Sequence, residues 1–184
     1  MKRLIQLLLA VTICVTPLLA QEKAEEKKVE MDAAQMMPPE ALSDEWSKWM
    51  VGEWEGWSES AMGKSKDWFK CEFGLDGQFL MMQVSGTMEN GMTYEGMGAQ
   101  TINQTGEVVG YWIDNWRGMY EGKGKPEGNK LTIVWESPMG KAERTMEKIS
   151  DDKFTVIEKF SMPNGQIMES KSEMTRKAMM SEKK

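Results

Sequence analysis

The chain changes period at Gly52. Before it, Trp46, Trp49 and Met50 fall at i, i+3 and i+4, which puts them on one face of a short helix. Ser43 is the predicted N-cap, Asp44 and Glu45 load the first turn, and Gly52 ends it. After Gly52, apolar and polar residues alternate with period two. Turn signals break the alternation repeatedly: Asp76-Gly77, Asn90-Gly91, Asn103 to Gly106, Asp114-Asn115, Gly122 to Gly128, Pro138 to Gly140, Asp151-Asp152 and Pro163 to Gly165. That rhythm predicts an all-β fold, an antiparallel up-and-down barrel of about nine or ten strands with the helix plugging one end.

The alternation also assigns faces. Phe69, Cys71 and Phe73 share one, as do Leu131, Ile133 and Trp135. Phe154, Val156 and Phe160 share another, and Glu158 falls in that inward row, where a bland pairing with Arg176 or a lysine is expected. In the last strand Met168, Ser170, Ser172, Met174 and Arg176 share the inner side. An inward arginine needs a partner, because an unpaired buried charge is costly. Trp54 is the candidate, through a cation–π contact worth roughly 0.5–2 kcal/mol.

These pieces carry a resemblance. Trp54 in VGEWEG, with Arg176 in the closing strand, is similar to the Trp–Arg pair that seals lipocalin and related calycin barrels. More closely, the chain resembles the bacterial family known as domain of unknown function 1579. The matching pieces are MMPPE (36–40), VGEWEG (51–56), GQFLMMQVSG (77–86), YEGMG (94–98), YWIDN (111–115) and TRK (175–177). They span nearly all of the chain after residue 36. The resemblance implies a lipocalin-like barrel and hands over no catalytic residues. There is also some likeness to haem-binding barrels of the nitrobindin type. Those hold iron through a histidine, and this chain has none.

Composition narrows the chemistry. Without histidine there is no Ser-His or Cys-His dyad and no His zinc site. The glycines around Tyr94 to Gly98 lie in a strand pattern with no helix to follow, so they are not a dinucleotide fingerprint. Met1 to Ala20, with Lys2 and Arg3 ahead of an apolar run, reads as a signal peptide, and a retained anchor is the alternative. Its removal takes the net charge from −6 by two more units. An exported acidic chain, periplasmic or secreted, is a poor partner for nucleic acid. No stable membrane span is expected after cleavage, because no second apolar stretch follows. Residues 21–37 read as a charged spacer, 38–177 as the barrel domain and 178–184 as a polar tail. Cys71 is then the one cysteine left, so no internal disulfide forms.

Methionine is the outlier, at 19 residues. It fits adaptable core filling and a compliant lining better than a Cu(I) site, because adjacent Met81 and Met82 face opposite ways. The leading reading is a non-enzymatic barrel that binds a small hydrophobic molecule. Tyr94, Trp112, Trp135, Met168 and Met174 form its walls, and Arg176 is also in the lumen. Gly56, Ser58, Gly96, Gly98, Ser170 and Ser172 leave the space. No catalytic residue, metal ligand or cofactor is assigned. A filled barrel working through its outer surface, a carboxylate-based isomerase or hydrolase, and Met-based Cu(I) binding stay open as alternatives.

Overall fold

The computed structural model describes residues 37–178. The expected signal segment 1–20, the expected spacer up to Met36 and the tail from Met179 lie outside the described residues. A self-contained unit begins at Pro39.

Helix α1 spans Glu45–Met50. Asp44, not Ser43, is its N-cap: the Asp44 Oδ1 accepts from the Ser47 N–H at 2.8 Å. A carboxylate is the stronger acceptor at the positive end of a helix, which places the start one residue later than the serine suggests. Ser47 and Met50 are buried, and Trp46 and Trp49 are half-buried beside them.

Ten strands follow: β1 Gly52–Ser60, β2 Gly63–Gly74, β3 Phe79–Met88, β4 Thr93–Ile102, β5 Val108–Asp114, β6 Met119–Glu127, β7 Lys130–Ser137, β8 Gly140–Ser150, β9 Lys153–Ser161 and β10 Ile167–Arg176. Each pairs antiparallel with its chain neighbours, and β1 pairs with β10 to close the barrel. Closure removes both sheet edges, which would otherwise invite further pairing. Register is fixed by the alternation, since a one-residue slip would turn every inner side chain out. Cross-strand partners therefore share a face. One inner row runs Phe154, Met174, Gly56, Asp67, Gly86 and Tyr94 through five neighbouring strands and then β4.

The two ends differ. At one, α1 packs over the start of β1, and Trp54, Phe69, Cys71, Leu80, Met82, Phe154 and Met174 fill the interior behind it. Trp49 meets Trp54 edge-on with centroids 5.3 Å apart, and Trp54 meets Phe154 at 4.8 Å. Such aromatic pairs add roughly 0.5–1.5 kcal/mol each beyond burial. A second cluster of Val108, Leu131, Ile133, Trp135 and Ala142 lines the β5–β8 side. Phe73, although in the same row as Cys71, is exposed, because β2 runs past the end of the core.

Candidate functional site

Arg176 locks the plugged end. Its guanidinium carbon lies 4.0 Å from the centre of the Trp54 ring. Its Nη1 donates to the Val51 carbonyl at 2.7 Å and its Nη2 to the Trp49 carbonyl at 2.6 Å. Nε and Nη2 also reach the Asp151 carbonyl, at 3.3 and 3.2 Å. Glycine at position 52 permits this, since a Cβ there would stand 2.6 Å from Nη1. The guanidinium is thus committed to the backbone of the helix end and of the β8–β9 turn. Met174 belongs to the same end, packed in the core against Gly56.

The opposite end holds the remaining candidates. Tyr94 and Trp112 face inward, and the Trp112 indole N–H donates to the Tyr94 hydroxyl at 2.8 Å. Burial pushes the Tyr94 pKa up to about 12, with the indole hydrogen bond opposing the rise. Trp135 is buried, while Met168 is half-buried near the mouth. Trp116, which flanks Asp114 with Trp112, is not in the packed wall. It sits exposed in the β5–β6 turn, edge-on to Tyr94 at 5.7 Å.

The inward glycines do not leave empty space where the sequence placed it. A Cβ on Gly96 would stand 2.5 Å from the Trp112 ring, and one on Gly98 would stand 2.8 Å from it. Gly122 makes the same room for Trp135, at 2.4 Å, and Gly56 for Met174, at 2.9 Å. An indole laid flat across a glycine of the next strand fills the barrel sideways. The aromatic wall and its glycine bed are therefore one packed unit.

The remaining inward positions carry polar groups, of which the sequence places Glu158 but not Arg144 or Asp67. Glu158 does face inward, but its partner is Arg144 on β8, with Nη1 to Oε2 at 3.7 Å, and neither Arg176 nor a lysine. Arg144 pairs across strands with buried Ile133 as well, so it faces inward too. Both side chains sit mid-strand, and they are 33% and 34% exposed. Across the barrel, Asp67 accepts from Ser65 Oγ at 2.7 Å and from Ser58 Oγ, which lies 2.8 Å from Ser172 Oγ. Asp114 is engaged with its own turn, accepting from the Trp116 and Gly118 amides at 3.0 and 2.8 Å. Arg144 and Glu158 are the least committed charges of the interior. The signal for Arg144 was present, since Ala142, Arg144 and Met146 alternate in register with Ile133 and Val156.

Cys71 is buried at the plugged end, and its thiol pKa is pushed up to about 12 by burial. A thiol held protonated is a poor nucleophile. Met82 lies in the core and Met81 on the outer wall over Gly74. Among the described residues no group of three or more Cys, Asp or Glu side chains is placed to hold a metal ion, and no helix is long and apolar enough to cross a membrane. A groove of about 540 Å³ lies over β5–β7 toward the open end, lined in part by Tyr111, Ile113, Met119, Val134 and Pro138.

The chain is similar in fold to two solved structures. The S-type phycobiliprotein lyase CPES from Guillardia theta matches with a TM-score of 0.58 at 11% identity, covering 73% of this chain and 92% of that one. Rv2717c from M. tuberculosis matches with a TM-score of 0.57 at 11% identity, covering 71% and 94%. The fold is a lipocalin-like, calycin-type barrel. No family profile and no curated protein matches the chain in sequence.

Proposed function

We propose that this chain is an exported barrel of the domain of unknown function 1579 family that binds a small, largely apolar molecule in its open half. The observation that supports this best is the position of Arg144 and Glu158. Both point inward from the middle of their strands, yet both are a third exposed, so solvent reaches the centre of the barrel from the unplugged end. A cup with Trp112, Tyr94, Phe160 and Met168 on its walls and a few polar groups at depth suits an apolar body with one polar end. The charged side chains that face inward in the open half are three carboxylates, Asp67, Asp114 and Glu158, against one guanidinium, Arg144. That balance favours a head group that donates hydrogen bonds over a carboxylate.

A second reading is a barrel whose interior is filled and which works through its outer surface. It draws on the indoles of Trp112 and Trp135, which occupy the space above Gly96, Gly98 and Gly122.

The test is native mass spectrometry of the protein purified from its own envelope without refolding. A co-purifying small molecule that is lost on denaturation, or saturable uptake of a fluorescent amphiphile, supports the cup. A bare mass together with no uptake of amine-headed or carboxylate-headed probes overturns it in favour of the filled barrel.

A further inference from the structure

The hairpin turns of the open end carry methionines, and those of the closed end carry none. Antiparallel up-and-down order puts five hairpin turns at the unplugged mouth: residues 61–62, 89–92, 115–118, 138–139 and 162–166. Each contains or adjoins a methionine: Met62, Met92, Met119, Met139 and Met162. The first four are 44%, 45%, 71% and 45% exposed, and Trp116 in the middle turn is 46% exposed. The four turns at the plugged end, residues 75–78, 103–107, 128–129 and 151–152, carry Asp76, Glu107, Asp151 and Asp152 and no methionine. Hairpin turns ordinarily take glycine, asparagine, aspartate and serine. Exposed thioethers at four of the five turns, with Met162 half-buried at the fifth, are a feature of that end, not of the composition.

We propose that this rim is a collar that seats the open mouth on a zwitterionic lipid surface. The apolar side chains ring the aperture, so whatever covers them also faces the cup. Methionine is unbranched and flexible, which lets it enter a fluid apolar phase without a matched partner shape. An indole beside it suits the boundary between headgroup and acyl chain. Charge selects the lipid. The five turns hold Glu89 and Arg117 and no other charged residue, so the rim is neutral in a chain of net charge −6. An anionic surface would repel the acidic walls behind it. The collar rests on the binding-cup reading for its purpose alone.

Methionine oxidation is the test. The chain as purified from its cells is treated with dilute peroxide, free and with phosphatidylcholine vesicles, and sulfoxide is read per peptide. Vesicles should slow oxidation of Met62, Met92, Met119 and Met139 about five-fold or more, as removal from water does. Met97, exposed on the outer wall of β4, should keep its rate. Unchanged rim rates overturn the collar, and that is also the result if the N-terminal segment alone tethers the chain. Equal slowing of Met97 overturns it as well. So does equal or greater protection on phosphatidylglycerol vesicles, or protection that grows with protein concentration alone, which would assign the rim to a second copy. Binding of a fluorescent amphiphile without vesicles is scored separately. Probe binding without rim protection sinks the collar and spares the cup. Rim protection without probe binding does the reverse.

Discussion

Arg176 lies against the face of Trp54 while its guanidinium nitrogens hold the carbonyls of Trp49, Val51 and Asp151. One side chain from the last strand thus fixes the first strand, the end of the plug helix and the β8–β9 turn. Trp54 is fully buried and donates its own indole N–H to the Met50 carbonyl at 3.0 Å. Trp54→Ala should therefore cost about 3–5 kcal/mol, the range for large aromatic truncations in cores. Arg176→Lys should cost about 2 kcal/mol or more despite keeping the charge, because an ammonium cannot span the three carbonyls or stack on the ring. Denaturant titration of both variants checks this, and a loss below about 1 kcal/mol for Trp54→Ala would remove the seal as a source of stability.

Glycine at position 96 is required by the ring on the next strand. Gly96→Ala places a methyl 2.5 Å from the Trp112 ring and should cost about 1–3 kcal/mol through overpacking. Combining it with Trp112→Leu should recover part of that loss, since the smaller side chain vacates the bed. The double-mutant cycle by thermal unfolding measures the coupling. Strict additivity would mean that the two sites do not share space.

The barrel was legible in this chain because period-two alternation and regular turn signals report the same thing at each strand. Faces were legible too: Glu158 could be placed inward by counting from Phe154. Its partner could not. Arg144 meets it through the β8–β9 register, and the sequence period says which face a residue takes but not which neighbour lies across. The glycines failed in a related way. Counting puts Gly96 and Gly98 inside, but an indole of the next strand lying over them is a fact of pairing, which has no local signature. Asp44 displaced Ser43 as the cap because two adjacent side chains could serve and only the geometry chooses. The methionine ring was hidden for the opposite reason. Every member is visible in the sequence, and only alternate turns share an end.

The Cys71 thiol should resist reagents. It is buried, and burial raises its pKa from the ordinary value of 9.0 to about 12. An aromatic disulfide reagent at pH 8 should label it only on the timescale of unfolding, with full labelling in denaturant. Rapid labelling of the native protein would show that the plugged end opens.

Alkaline pH should destabilise the fold through Tyr94. Its pKa rises from 10.0 to about 12 in the folded state, chiefly from burial. Between those values the unfolded chain has lost the proton and the native chain has kept it. Stability from this group is therefore complete below about pH 10 and falls by about 2–3 kcal/mol as pH rises to about 12. Cys71 acts in the same direction from about pH 9 upward. Absorbance of phenolate against pH should show Tyr94 titrating late and together with unfolding, and Tyr120, whose pKa burial also raises, adds to the late component. Tyr94→Phe should weaken that component, at a smaller cost near neutral pH from the lost Trp112 hydrogen bond, about 1 kcal/mol.

The interior ion pair separates binding from stability. Arg144 and Glu158 approach at 3.7 Å with a third of each side chain in water, so their attraction is screened. Replacing both, as Arg144→Met with Glu158→Gln, should change stability by no more than about 1 kcal/mol, because neither charge is left alone. In the cup reading the same double change should alter affinity for a polar-headed fluorescent amphiphile by about ten-fold, the worth of one charge-assisted hydrogen bond at a partly desolvated site. Probe titration beside chemical denaturation reads the two quantities separately. Unchanged affinity with unchanged stability would leave these charges without a part in binding. A large loss of stability with the double change would instead make them a structural element of the barrel wall.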